Sequence, residues 1–187
     1  MSDGLLGDVE DHVVRALGPA SGRAGVTFLG TERVEVLRFG PDGDGAVRYV
    51  TLGMSRAPLP DPASEVVATE GPRAELVLTL RGARDDVLRA LAVAASSPFV
   101  ENATVAAGAS LDLGAPLWPG ARFTAVLIGE PGDVVRDLGD VRFYPLVPMT
   151  PNEAAFKRVH GAAALEERWL SYGADPRDPD RAEVPLT

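Results

Sequence analysis

The sequence contains no cysteine, two histidines and a single lysine among its 187 residues. Without cysteine the chain cannot form a disulfide, a thiolate zinc site or a cysteine nucleophile. The two histidines, His12 and His160, are too few for the multi-histidine sites that hold catalytic zinc. We therefore expect a protein that carries neither a metal nor a cofactor.

Long apolar runs are also missing. No stretch approaches the roughly 18 apolar residues that mark a transmembrane helix. The first residues, MSDGLLGDVEDH, lack the basic start and the apolar core of a signal peptide. Every basic residue except Lys157 is arginine, which together with abundant Ala, Gly, Val and Pro indicates a bacterial genome rich in GC. These observations predict a cytoplasmic bacterial protein with no membrane partner.

Acidic residues outnumber basic ones by 27 to 18, which gives a net charge of −9. Such a surface repels phosphate backbones, and this disfavours a nucleic-acid partner. Complementary charge raises encounter rates, so the surface favours a basic partner instead. The length corresponds to one domain, since domains usually span about 100–200 residues.

Hydrophobic patterning predicts one sheet of at least five strands, with helices packed against it. The strands are expected at 34–39, 46–54, 75–80, 122–128 and 141–147, with a weaker one within 104–113. The segment at 75–80 is almost continuously apolar, which is typical of a central strand covered on both faces. Pro145 places the last strand at an edge or a bulge, because proline cannot donate to a ladder.

Helical spacing predicts helices at 8–17, 83–95 and 151–170. A glycine-rich loop to Gly25 follows the first helix, and the second is expected to end at Ser96-Ser97-Pro98. The third begins with a capping box, in which Thr150 is the N-cap and Glu153 the third helical residue. We assign residues 1–171 to the domain and residues 172–187, which are rich in proline and charge, to a flexible C-terminal tail.

The segment at 55–73 holds four prolines in 19 residues and therefore reads as a long loop. Long loops in compact domains are usually functional or disordered, and prolines keep such a segment extended. We therefore predict a protein partner at this loop and the adjoining sheet edge. The candidate contact residues are Ser55, Pro58, Pro60, Glu65 and Glu70.

Patterns that could carry catalysis or metal binding are incomplete. Gly53-Met54-Ser55 lacks the final glycine of an esterase turn, because residue 57 is alanine. The Gly- and Asp-rich segment at 40–45 fits a hairpin turn better than a calcium loop. We expect no catalytic residue, although an enzyme that uses Ser55, Glu75 or Glu153 stays open as an alternative. Trp118 and Trp169 are expected to pack in the core, and an exposed tryptophan would instead mark an interface.

Three segments resemble the suppressor of fused domain family in their order and spacing. They are YVTLGMS at 49–55, RAELVLTL at 73–80 and VRFYPLVPMTPNEAAFKRVHGAAAL at 141–165, and the resemblance covers about residues 5–171. It implies a single α+β domain with a mixed, largely antiparallel sheet that binds other proteins without catalysis. Eukaryotic members grip a partner segment between this domain and a second one, which we expect this chain to lack.

Bacterial members of the family are often proposed to be immunity proteins that neutralise polymorphic toxins. The function predicted from the sequence is therefore a non-enzymatic immunity protein that binds a toxin, and the acidic charge favours a basic toxin domain. The alternatives are a regulatory or structural binding subunit and an uncharacterised hydrolase.

Overall fold

The computed structural model describes residues 2–27, 32–61, 63–64 and 69–187. This part of the chain forms an α+β fold of four helices and seven strands. The helices are α1 Ser2–Leu17, α2 Leu88–Val100, α3 Pro151–His160 and α4 Ala162–Ser171, and the strands are β1 Gly22–Val26, β2 Val34–Phe39, β3 Ala46–Leu52, β4 Arg73–Arg81, β5 Ser110–Asp112, β6 Ala125–Ile128 and β7 Val141–Met149.

The seven strands form one sheet in the order β1-β2-β3-β4-β7-β6-β5. Only β4 and β7 run parallel among these strands, and the other neighbours are antiparallel. The predicted mixed, largely antiparallel sheet is thus confirmed. Strand β4 lies at its centre and is buried on both faces, as its continuous apolar run predicted.

Two apolar layers sandwich the sheet. On one face α2 packs against alternate residues of β2, β3 and β4, such as Val36, Tyr49 and Leu78. On the other face α1 covers the intervening residues, including Leu37 and Val50. The α3–α4 pair covers β6 and β7 on that same face. The period of two along each strand therefore divides the apolar residues between two cores.

Three local predictions are wrong. The glycine-rich stretch before Gly25 is strand β1, which is paired along its whole length with β2. Pro145 lies in an interior strand, where its position faces the end of the short β6 and its carbonyl accepts from the Gly129 N–H at 2.8 Å. Helix α2 starts later than predicted and continues through Pro98, because a proline in the last turn removes only one helical hydrogen bond.

The predicted helix at 151–170 is two helices. Gly161 separates α3 from α4 with φ +91°, a backbone conformation that glycine adopts without strain. The capping box is confirmed: the Glu153 N–H donates to Thr150 Oγ1 at 3.2 Å, and the Thr150 N–H donates to Glu153 Oε2 at 3.0 Å.

The segment at 172–187 is packed against the domain, which corrects the prediction of a flexible tail. Val184 is buried with α4 and β6, and the Arg81 N–H donates to the Arg177 carbonyl at 2.8 Å. Arg181 reaches the Pro148 carbonyl at 2.8 Å, beyond the point at which the β4–β7 pairing ends. The prolines prevent regular structure here but leave side chains free to pack.

Candidate partner-binding site

The turn after β3 is held by one buried carboxylate. Glu75 Oε1 accepts hydrogen bonds from the N–H groups of Gly53 and Ser55, at 2.9 and 3.0 Å, and from the Ser55 hydroxyl at 2.6 Å. Its other oxygen accepts from the Thr51 hydroxyl at 2.6 Å, and that hydroxyl accepts from the Leu76 N–H. Residues from the segments at 49–55 and 73–80, which carry the family resemblance, therefore form a single hydrogen-bonded network.

Glu75 is fully buried, and none of its hydrogen-bond partners among the described residues is a cation. Burial raises the pKa of its carboxyl, and the hydrogen bonds from Ser55, Thr51 and Gly53 oppose that shift. A group enclosed in this way cannot reach a substrate while the turn is closed. The role that fits its surroundings is to fix the course of the chain as it leaves β3.

Gly53 allows that course because it has φ +130°, and a Cβ at this position would lie 2.9 Å from the Arg33 carbonyl oxygen. A short 3₁₀ turn, Met54–Arg56, follows. The Arg73 guanidinium then donates to the carbonyls of Ser55 and Arg56, at 2.9 and 2.7 Å. The start of the loop between β3 and β4, residues 53–72, is therefore hydrogen-bonded to β4, the strand at which this β3–β4 loop ends.

A second bond closes the loop, since the Leu59 N–H donates to the Pro72 carbonyl at 2.7 Å. Of the predicted contact residues, Pro58 and Pro60 are half-buried and Glu70 is exposed. Glu65 lies outside the described residues. The prediction that Ser55 contacts a partner is corrected, because its side chain is buried against Glu75 and does not face the exterior.

The position of the loop corrects another expectation. It joins β3 to β4, which are interior strands, whereas the edges of the sheet are β1 and β5. The loop therefore adjoins the end of the central strands and not a sheet edge. Its neighbour there is the C-terminal end of α2, with which the 3₁₀ turn shares a groove.

The groove between the loop and α2 has a volume of about 240 Å³ and a mostly apolar lining. Two large apolar side chains at its α2 wall are exposed to solvent, with Phe99 at 43% and Val100 at 63%. Its lining residues are Glu32, Val34, Gly53, Met54, Arg56, Ala57, Ala95, Ser96, Phe99 and Val100.

Sequence reasoning missed the α2 wall of the groove. Because the second helix is predicted to end at Ser96-Ser97-Pro98, the sequence places Phe99 and Val100 in no helix or strand. The sequence signal for this surface was the apolar pair Phe99-Val100 itself. The helix before it already contributes Leu91 and several alanines to the core, so the pair is not needed there. Seen in the structure, both residues lie in the last turn of α2.

The residues considered for catalysis are held in structural contacts. Glu153 is buried and receives both terminal nitrogens of Arg181, at 2.7 and 2.8 Å. Burial opposes ionisation of Glu153, but the hydrogen bonds from Arg181 and Thr150 lower the pKa of its carboxyl overall. His12 Nε2 lies 2.7 Å from the Arg136 carbonyl and the ring stacks on Phe143, on the opposite face of the sheet from α2.

Trp118 and Trp169 are both 4% exposed, which agrees with the prediction that they pack in the core. Trp169 donates to Glu153 at 3.1 Å, and Trp118 contacts Phe123. Within the described ranges, no group of three potential metal ligands occurs, and no helix is both long and apolar enough to cross a membrane.

Comparison with known proteins agrees with this architecture, a central mixed sheet flanked by helices. A family model described as suppressor of fused protein (SUFU) matches residues 30–182. The chain therefore belongs to the suppressor of fused family. None of the curated proteins matches it significantly.

Solved structures share the fold at low sequence identity. A suppressor of fused homolog from Neisseria gonorrhoeae superimposes with a TM-score of 0.70 and 21% identity, over 94% of this chain and 93% of that one. The Sufu–Fu complex gives 0.67 and 14%, over 96% and 91%. Drosophila Suppressor of Fused gives 0.61 and 14% over 94% of this chain, which spans 50% of that protein.

Proposed function

We propose that this protein is a non-enzymatic interaction domain that binds a protein partner through the β3–β4 loop and the groove beside it. The observation that carries the proposal is the contrast between two sets of side chains. Ser55, Glu75 and Glu153, the candidates for chemistry, are buried and hydrogen-bonded to one another or to structural partners. Phe99 and Val100 are exposed to solvent and line a groove together with the start of the β3–β4 loop.

Family membership supports protein binding. A Sufu protein with this fold has been crystallised in complex with Fu. This chain covers most of that one, so the fold used there is present here nearly entire. From that complex we propose for this chain only that its ligand is another protein, and not that the ligand is Fu.

The partner we propose is basic, and within that class a toxin that the domain neutralises. The support is the net charge of −9, since opposite charge speeds encounter and like charge repels acidic partners. An exposed carboxylate, Glu70, lies on the loop itself. An immunity protein must capture its toxin quickly, and electrostatic steering provides that speed.

A loop replacement tests the proposal. The Leu59–Pro72 hydrogen bond brings the loop ends together, so a short Gly-Ser linker can replace residues 60–71 without straining β3 or β4. The partner is first identified by pull-down from the source organism, and its affinity is then measured by calorimetry. We expect the loop variant to bind at least about tenfold more weakly, because interface hot spots each contribute on the order of 1–2 kcal/mol.

The matched control replaces Ala115 and Pro116, two exposed loop residues elsewhere, with Gly-Ser. Both variants must unfold at the same denaturant midpoint as the wild type. Unchanged affinity in the loop variant would refute the proposed site. If the wild type turns over a substrate and Ser55→Ala abolishes that activity without unfolding the protein, the non-enzymatic proposal itself is refuted.

A further inference from the structure

We infer that the groove between α2 and the β3–β4 loop is an anchor site for one aromatic or branched aliphatic side chain of a partner segment, with a basic residue of that segment beside it. The inference rests on the proposed function and specifies the chemistry of the ligand. It concerns the groove defined above, and it commits to a basic, apolar protein segment as the occupant.

The size and lining of the groove define the apolar part of this ligand. Sites for small molecules usually enclose about 300–1,000 Å³, and this groove encloses about 240 Å³. The space therefore suits a single side chain better than a whole substrate. Met54 forms the buried floor, while Phe99 and Val100 leave apolar surface in water that a partner side chain would cover.

Interface hot spots have this form: a few large side chains enter a pocket whose rim excludes water. Phe99 and Val100 are two of the five large apolar residues exposed in the described part of the chain, and they are adjacent. The other three, Val159, Leu170 and Tyr172, belong to the α3–α4 region and not to the lining of this groove. An apolar pair at the mouth of an apolar groove is the stronger candidate for contact with a partner.

The charges at the rim define the second part of the ligand. The Glu32 side chain is 84% exposed, and its ion pair with Arg56 is long, at 3.9 Å. Arg56 is itself only 27% exposed and already donates to the Arg33 carbonyl at 2.6 Å. An incoming cation therefore has an available carboxylate, whereas an incoming anion meets a guanidinium that is partly buried and engaged.

The end of α2 adds to this preference. The groove lies at the helix C-terminus, where the helix dipole places partial negative charge that favours cations. Glu101, the next residue, is exposed and adds a carboxylate beside Val100. Glu32 and the end of α2 thus contribute negative charge at the groove, Glu101 follows Val100 in the chain, and the net charge of the molecule has the same sign.

Selection of displayed peptides tests the inference. The probe is a phage library of random 12-residue peptides, panned on the immobilised full chain at low salt. We expect the enriched peptides to share an aromatic or branched aliphatic residue with Lys or Arg within two positions of it. Enrichment of acidic peptides, or no enrichment at all, would overturn the inference.

Variants then locate the binding of a synthetic copy of the enriched peptide by fluorescence anisotropy. Val100→Ser should weaken binding by roughly fivefold or more, and Glu32→Lys by roughly two- to fivefold at low salt. Val159→Ser on α3 and Glu167→Lys on α4 are matched controls, since all four positions are exposed, and they should leave the affinity unchanged. Equal affinity in Val100→Ser and Val159→Ser would overturn the inference.

This outcome is independent of the test of the proposed function. If the peptide results fail while the loop variant loses its native partner, only the anchor site is wrong. If the peptide results hold while the loop variant keeps its partner, the groove binds peptides but the loop is not the partner site.

Discussion

Glu75 shows how a single residue can connect two sequence segments. Its carboxylate accepts from the turn after β3 and from Thr51, so β3, the turn and β4 share one polar centre. Buried polar groups are costly unless every donor and acceptor is paired. Here the donors surround the carboxyl group of Glu75. The turn therefore needs Glu75 as much as it needs Gly53.

We predict that Glu75→Ala lowers the free energy of unfolding by at least about 3 kcal/mol, because the variant leaves several buried donors without an acceptor at about 1–3 kcal/mol each. Glu75→Gln should cost less, since its amide oxygen still accepts from Gly53 and Ser55. Urea unfolding of both variants measures the difference. Equal losses in the two variants would contradict the assigned hydrogen bonds.

The same residue predicts a pH dependence. Burial raises the folded-state pKa of Glu75 above its unfolded value, so the folded protein holds this proton more tightly. Its contribution to stability is thus greatest below the unfolded pKa and is lost as the pH rises through the folded pKa.

The measurement is the stability of the wild type relative to Glu75→Gln between pH 4 and 7. The difference should shift in favour of the wild type as the pH falls. Glu153, whose pKa is lowered, has the opposite dependence in both proteins and cancels in the comparison. A difference that does not vary with pH would show that Glu75 titrates alike in the folded and unfolded chains.

Among the elements, the C-terminal segment at 172–187 differs most from what its sequence predicts. Its prolines and charges are typical of a disordered tail, yet Arg181 enters the core between the rings of Phe123 and Trp169. There its guanidinium meets Glu153, which also closes the capping box of α3. A buried ion pair between residues 28 positions apart leaves no periodic signal in the sequence.

We predict that Arg181→Met lowers the free energy of unfolding by about 3–5 kcal/mol, because Glu153 would remain as a buried charge without its cation. The double variant Arg181→Met/Glu153→Gln should recover part of that loss. Guanidinium unfolding of the single and double variants provides the measurement. A single variant as stable as the wild type would restore the interpretation of this segment as a loose tail.

The capping box gives a further test at the start of α3. Thr150→Ala should cost about 1 kcal/mol or more, since the residue caps the helix and its hydroxyl also donates to Glu183. Thr150→Ser keeps both hydrogen bonds and should cost much less. A denaturant midpoint unchanged in Thr150→Ala would contradict the prediction.

At the scale of the whole molecule, local apolar patterns predicted strands β2 to β7 but not the glycine-rich β1, which has no such pattern. They also located the β3–β4 loop, since four prolines in a short stretch rule out a central strand. They could not predict that the loop faces the end of α2, because that contact depends on the order of strands in the sheet. They placed Ser55 on the surface, since a serine after a glycine turn carries no sign of a buried acceptor 20 residues away.

The net charge predicts how binding responds to salt. If acidic groups steer a basic partner, raising the salt concentration from 0.05 to 0.5 M should slow association more than it speeds dissociation. Stopped-flow measurement with the identified partner separates the two rates. An association rate that does not change with salt would remove the electrostatic part of the proposal.

The central claim is that the partner binds at the β3–β4 loop and the groove beside it, and site-specific photocrosslinking in the source organism tests this most directly. A photoreactive phenylalanine analogue is placed at Ala57 or Glu70 on this surface, and at Val159 or Leu170 on the α3–α4 surface as controls; all four positions are exposed. We predict one shared adduct from Ala57 and Glu70 and none from the controls. An adduct that forms only at Val159 or Leu170 would contradict the account.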